Sequence, residues 1–144
     1  MRVRRTTQED LPEILELIKT LHEESLSEFD LFWDESVLGK VMPPMVETSL
    51  VLVVEDKIVG VIAGFVTNHI ANDKPLMQEM IWHVKKEYRG YGKLLLDGFK
   101  KMCKDLNMNH LIITGVGSYK REKFETLCLG EGFEVLETHY IIKL

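Results

Sequence analysis

Leu11, Ile14, Leu15, Ile18 and Leu21 recur at helical spacing and predict an amphipathic helix behind a short strand that begins at Val3. Thr7 and Asp10 have the spacing of a capping box with Asp in place of Glu, and Pro12 suits the first helical turns. A polar, acidic stretch from Glu23 to Asp30 leads to Phe32 and Trp33. Asp34 is then placed to cap a second helix carrying Val37, Leu38 and Val41, which Pro43 and Pro44 should stop. From Ser49 the period changes. Ser49 to Val54 is an apolar run of strand length, Asp56 and Lys57 mark a tight turn, and Ile58 to Val66 is predicted as the antiparallel partner. Asn68 to Pro75 reads as a loop and Met77 to Val84 as the next strand. Helical spacing returns from Lys93 to Leu106, with Leu95, Leu96, Phe99, Met102, Cys103 and Leu106 on or near one face. His110 to Thr114 is predicted as a strand, Tyr119 to Leu129 as a helix, and Phe133 to Leu144 as an extended segment bent near Glu137.

The junction at Ile81 to Leu96 carries the strongest chemical signal. An apolar strand runs into a turn bearing Gly90 and Gly92 and then into the start of a helix. The first backbone N–H groups of a helix lack intrahelical partners and lie at the positive end of its dipole, and glycine lets a bulky anion approach the main chain. Lys85, Lys86, Arg89 and Lys93 add local positive charge to a chain that is acidic as a whole, with 18 Lys and Arg against 23 Asp and Glu. Spacing excludes two nucleotide motifs. A dinucleotide fingerprint needs glycine where Leu95 stands, and a P-loop needs Ser or Thr where Leu94 stands.

At 144 residues the chain is expected to be one domain, 1–144, and 45% hydrophobic content with mixed charge predicts a globular protein. No apolar run approaches a membrane span and no apolar h-region follows Met1-Arg2-Val3-Arg4-Arg5, so the expected location is cytoplasmic, with no membrane partner. Cys103 and Cys128 form neither a Cys-x-x-Cys pair nor a ligand cluster, the five histidines are scattered, and no metal site is expected. The acidic balance argues against a nucleic-acid surface.

Glu87-Tyr88-Arg89-Gly90-Tyr91-Gly92, with a strand before it and an apolar helix after it, resembles the Q/R-x-x-G-x-G/A pyrophosphate motif of the GCN5-related N-acetyltransferases (GNAT). The order of elements along essentially the whole chain is similar to the same family. Trp82 to Gly90 and Gly132 to Tyr140 look closest to small members often encoded by bacteriophages. The resemblance implies an α/β GNAT fold, a mixed and largely antiparallel sheet with helices on both faces. It also implies acetyl-CoA as cosubstrate and direct acetyl transfer to a primary amine, on a small molecule or a protein, in a ternary complex. Tyr88, Arg89, Gly90, Tyr91, Gly92 and Lys93 would bind the pyrophosphate, and backbone groups around Trp82, His83 and Val84 would hold the pantetheine arm. Glu87 stands where the family usually has Gln or Arg.

An alkylammonium with a pKa near ~10 must lose a proton before it attacks a thioester, so a base is required. Glu79 is the first candidate, among Met77, Met80, Ile81 and Trp82, where desolvation would raise its pKa. His83 is the alternative, and on a regular strand it shares a face with Glu79. His69 and His139 are further candidates for the acceptor pocket. The family's usual proton donor to the departing thiolate is Tyr, and Cys128 stands in its place, with Tyr140 or Tyr119 as other donors or none needed. The acidic residues Glu23, Glu24, Glu28, Asp30, Asp34 and Glu35 would attract a cationic amine, with Phe29, Leu31, Phe32 and Trp33 as an apolar lid or a loop anchor. Two other readings compete: a noncatalytic module of the same fold acting through a partner protein, and a nucleotide-binding regulator. Exposed edges near the C-terminal strand leave room for a homodimer.

Overall fold

The structure, a computed structural model, describes residues 1–29, 34–68, 73–115 and 121–144. Its sheet has five strands in the order β1 (Arg2–Arg5), β2 (Ser49–Val54), β3 (Lys57–Asn68), β4 (Pro75–Val84) and β5 (His110–Ile112). The first four are antiparallel and β5 runs parallel to β4, which makes the sheet mixed and largely antiparallel. Helix α1 (Leu11–Ser25) and helix α2 (Glu35–Met45) cover one face, where Ile14, Leu17, Met42 and Met45 pack on Val51, Val61, Ala63 and Ile81. Helix α3 (Gly92–Asp105) covers the other, with Leu95, Phe99 and Met102 on Leu50, Ile62, Met77 and Val84. Helix α4 (Arg121–Gly130) follows β5.

Local chemistry explains most boundaries. The Asp10 carboxylate accepts from the Thr7 N–H at 2.8 Å and from both ends of the Arg4 guanidinium at 2.6 and 2.9 Å, which fixes the entry to α1 against β1. Asp34 caps α2 by accepting from the Ser36 N–H at 2.9 Å. The β2–β3 turn places Glu55 at φ 48° and Asp56 at φ 61°, the left-handed pair that a two-residue hairpin requires.

Two expectations fail for physical reasons. Helix α2 runs through Pro43 and Pro44 to Met45 instead of stopping before them. Proline's φ is helical, the carbonyls that lose their donors belong to the exposed Gly39 and Lys40, and buried Met42 and Met45 hold the final turn to the core. Residues 133–144 form no strand. Their apolar residues occupy both alternating positions, and Leu136, Tyr140 and Ile142 are exposed, because β-propensity alone does not make a strand without a paired edge. The expected loop between β3 and β4 lies partly outside the described residues, as do Asp30, Leu31, Phe32 and Trp33.

The feature that sets the site is a bulge in β4. Ala63 pairs with Ile81 while Gly64 pairs with Glu79, so Met80 is the extra residue. Gly64 permits the close crossing there, since a Cβ on it would stand 2.4 Å from the Gln78 carbonyl oxygen. We therefore expect Gly64→Ala to lower stability by about 1–3 kcal/mol. Gly39→Ala, at an exposed helical position with nothing within 4 Å, should raise it by about 0.5–1 kcal/mol. Urea unfolding of both variants checks the opposed signs.

Candidate active site

The β4 strand ends where the Lys85 N–H donates to the Val59 carbonyl at 2.8 Å, and a tight 3-10 segment, Lys86–Tyr91, leads directly into α3 at Gly92. Apolar Leu95, Leu96 and Phe99 bury the inner face of that helix and so fix where its first turn points. Gly90 is exposed, its φ is not positive, and a Cβ there would meet nothing within 4 Å. Neither backbone conformation nor packing within the protein accounts for glycine at this position. A ligand pressed against the main chain at the helix start would. A Cβ on Gly92 would lie 3.7 Å from the Trp82 indole nitrogen, which brings that N–H beside the same helix start. Glu87 is exposed.

The basic side chains of this junction are differently disposed from the expectation that Arg89 or Lys93 stands ready for an anion. Arg89 forms an ion pair with Glu24 at the end of α1. Lys93 is held by Asp97 at 3.0 Å and by Glu131 at 2.7 Å. Tyr88 packs on the α3-side core, whereas Tyr91 is exposed. The Gly92 N–H closes the 3-10 segment by donating to the Arg89 carbonyl, and Lys85 and Lys86 are exposed nearby.

Beside the junction, one edge of β4 runs on past the end of β5. β4 and β5 pair only from Leu76 with His110 to Gln78 with Ile112, so the edge of β4 from Glu79 to Val84 continues without β5 alongside. The buried Glu79 carboxylate accepts from the Thr114 N–H at 3.0 Å, just past the end of β5. Phe124 of α4 meets the Trp82 ring edge-on, with centroids 5.9 Å apart. Burial pushes the Glu79 carboxyl up to about 7, against the opposing hydrogen bond from Thr114. Cys128, buried on α4, is also pushed up, first by burial and then by the charge of Glu79, so its proton stays on sulfur at neutral pH. Glu79 and Cys128 thus share one neighbourhood.

Other candidates do not join them. The Met80 bulge breaks the alternation that would have set His83 beside Glu79. His83 pairs with Val61 of the α1–α2 core, while Glu79 keeps step with Met77 on the α3 side. Trp82 and Val84 pack on the α3 side. Tyr140 is 92% exposed in the C-terminal segment, and His139 pairs with Glu137 at 3.0 Å. His69 and Tyr119 lie outside the described residues. Thr114, Phe124 and Glu131 were not anticipated. Only Glu131 had a local signal, its place between Gly130 and Gly132. A cavity of about 270 Å³ sits between β1 and α3, at the opposite edge of the sheet from β5. Among the described residues no three His, Cys, Asp or Glu side chains gather as a metal site, and no helix is long and apolar enough to cross a membrane.

No family model and no curated protein matches the chain. Solved structures do. A possible acetyltransferase from Clostridium difficile 630 is similar with a TM-score of 0.76 at 21% identity, covering 99% of this chain and 97% of that one. A ribosomal-protein-alanine N-acetyltransferase from Brucella melitensis biovar Abortus 2308 gives a TM-score of 0.76 at 14% identity, with 99% and 98% covered. The aminoglycoside acetyltransferase meta-AAC0020 from an uncultured soil metagenomic sample, in complex with sisomicin, gives 0.72 at 19% identity, with 99% and 95% covered. The chain therefore has the GNAT acetyltransferase fold, as its motif implied. The narrower likeness to phage-encoded members finds no support in these structures.

The buried Glu79 makes stability depend on pH. Its folded pKa of about 7 lies above the ordinary value of 4.5, so the folded protein holds the proton more tightly than the unfolded chain. Stability contributed this way is full below pH 4.5 and is lost as pH rises to 7 and beyond. Glu79→Gln should remove that slope, and its stability relative to wild type should improve by about 2–3 kcal/mol between pH 4 and pH 8. Denaturant midpoints across pH measure this directly.

Proposed function

We propose that the protein is an N-acetyltransferase that moves an acetyl group from acetyl-CoA to a primary amine by direct attack in a ternary complex. The observation that carries this reading is the buried Glu79 carboxylate, raised to about 7, at the mouth of a β4 edge that ends in an open, glycine-lined helix start. The GNAT fold supports it.

Acetyl-CoA is the donor substrate and supplies an activated acetyl thioester. The main chain from Gly90 to Lys93, where the 3-10 segment meets α3, would hold its pyrophosphate, and the β4 edge at Trp82, His83 and Val84 would offer main-chain partners to the pantetheine arm. Glu79 takes the proton that the ammonium must lose, and a base with a pKa near ambient pH is suited to that task. The amine nitrogen bonds to the acetyl carbon as the carbon–sulfur bond breaks. Cys128, whose thiol burial keeps protonated, would give its proton to the departing sulfur, and the second proton shed by the nitrogen on becoming an amide would restore the Cys128 thiol. The acceptor is proposed to be a cationic amine, small-molecule or protein-borne. Exposed Glu23, Glu28 and Glu35 support that choice, whereas Glu24 and Asp34 are engaged by Arg89 and the α2 cap.

Calorimetric titration with acetyl-CoA, desulfo-CoA and ADP, followed by an amine screen, tests the reading. Binding should require the pantetheine arm; no binding would favour a noncatalytic module. Gly90→Glu should abolish CoA binding while leaving the unfolding midpoint within error of wild type. Glu79→Gln should lower kcat by about 10²–10⁴-fold with the CoA Kd nearly unchanged, and should erase a rise in wild-type kcat through pH about 7. Turnover of this variant equal to wild type at every pH would remove Glu79 as the base. Cys128→Ser and Cys128→Ala with full activity would assign the thiol to packing.

A further inference from the structure

Glu131 forks between two lysines of α3. One oxygen lies 2.7 Å from the Lys93 ammonium and the other 3.0 Å from that of Lys100. Asp97 holds the same Lys93 ammonium at 3.0 Å, but it is the more solvated partner, with its side chain 48% exposed against 17% for Glu131. Lys93 is the second residue of α3, and Asp97 is one turn further along. Its ammonium is therefore drawn along the helix, away from the N–H groups of the first turn. Two lysines and two carboxylates cancel at the place where a polyphosphate would need positive charge.

The turn carrying Glu131 does not depend on this side chain for its shape. The Glu131 N–H donates to the Leu127 carbonyl at 3.0 Å, the Phe133 N–H donates to the Cys128 carbonyl at 3.0 Å, and Gly132 takes φ 83°. These bonds close α4 as a glycine-stopped helix end. Phe133 also lies beneath the Lys100 ammonium, 6.0 Å from ring centre to nitrogen. The backbone supports the turn while the carboxylate occupies the lysines.

We infer that Glu131 is an internal anion that competes with the phosphates of the donor for Lys93, and so sets donor affinity as a positioning residue. This rests on the acetyl-CoA reading. In the bound state Lys93 leaves Glu131 for phosphate, and Lys100 keeps the Glu131 carboxylate. The ligand class that feels this competition is phosphate-bearing; a pantetheine arm without phosphate does not.

Calorimetry with CoA and with phosphate-free pantetheine, on wild type, Glu131→Gln, Lys93→Met and the double variant, tests the inference. Glu131→Gln should tighten CoA about 3–10-fold and leave pantetheine unchanged, a gain that loss of structure would not produce. Lys93→Met should weaken CoA and abolish the gain from Glu131→Gln. Equal or weaker CoA binding by Glu131→Gln overturns the inference, as does a gain that extends to pantetheine or survives Lys93→Met. CoA binding absent from every protein in the set overturns the donor reading instead, and this inference with it.

Discussion

One extra residue in β4 governs the arrangement of the whole site. Without Met80 out of step, the alternation of a strand would carry Glu79 to the α1–α2 face with Ile81 and His83. With it, Glu79 stays in phase with Met77, on the side where β5 ends and α4 begins. Gly64 makes this crossing feasible because the Gln78 carbonyl fills the space that any side chain would need. The same strand therefore contributes apolar residues to two cores and a single buried carboxylate that meets the chain just past the end of β5. Burial of that carboxylate follows from its position, and its raised pKa follows from burial.

Charge is handled by local pairing. The chain has a formal net charge of −5, yet the cations nearest the α3 start are tied to acidic residues distant in sequence, Arg89 to Glu24 and Lys93 to Glu131. These pairs connect α1 and the end of α4 to the α3 junction. They also leave the dipole of α3, fixed by the helix and independent of side-chain rotamers, as a constant source of positive potential there. Exposed ion pairs of this type contribute little to folding, since water screens them.

Much of this was legible in the sequence because it depends on local patterns. The apolar stripe of α3, the Thr7–Asp10 entry to α1, the hairpin at Asp56 and the glycine-bearing turn after β4 each follow from residues within a few positions of one another. The bulge was not legible. Its cause is the meeting of Gly64 with Gln78 across two strands, and neither residue signals it alone. A regular strand, the condition for His83 to share a face with Glu79, is not met for that reason. The C-terminal segment failed differently: its β-branched and aromatic residues have strand propensity, but a strand also requires an edge to pair with. The C-terminal end of α2 was set by tertiary contacts of Met42 and Met45 that outweigh the local effect of Pro43 and Pro44. The ion pairs of Glu131 and Glu24 span elements far apart in sequence and form only through folding.

Both cysteines of the chain are buried, and burial raises Cys103 to about 11 and lifts Cys128 as well. Peroxides, disulfides and electrophilic alkylating agents react with the thiolate, which is scarce at neutral pH when the thiol is this weak an acid. The carboxylate beside Cys128 deepens this protection, because ionising the sulfur would set two negative charges together in a poorly solvated space. The burial that raises the proton affinity of Glu79 thus also keeps the proton on the Cys128 sulfur, the form that thiol oxidants attack slowly.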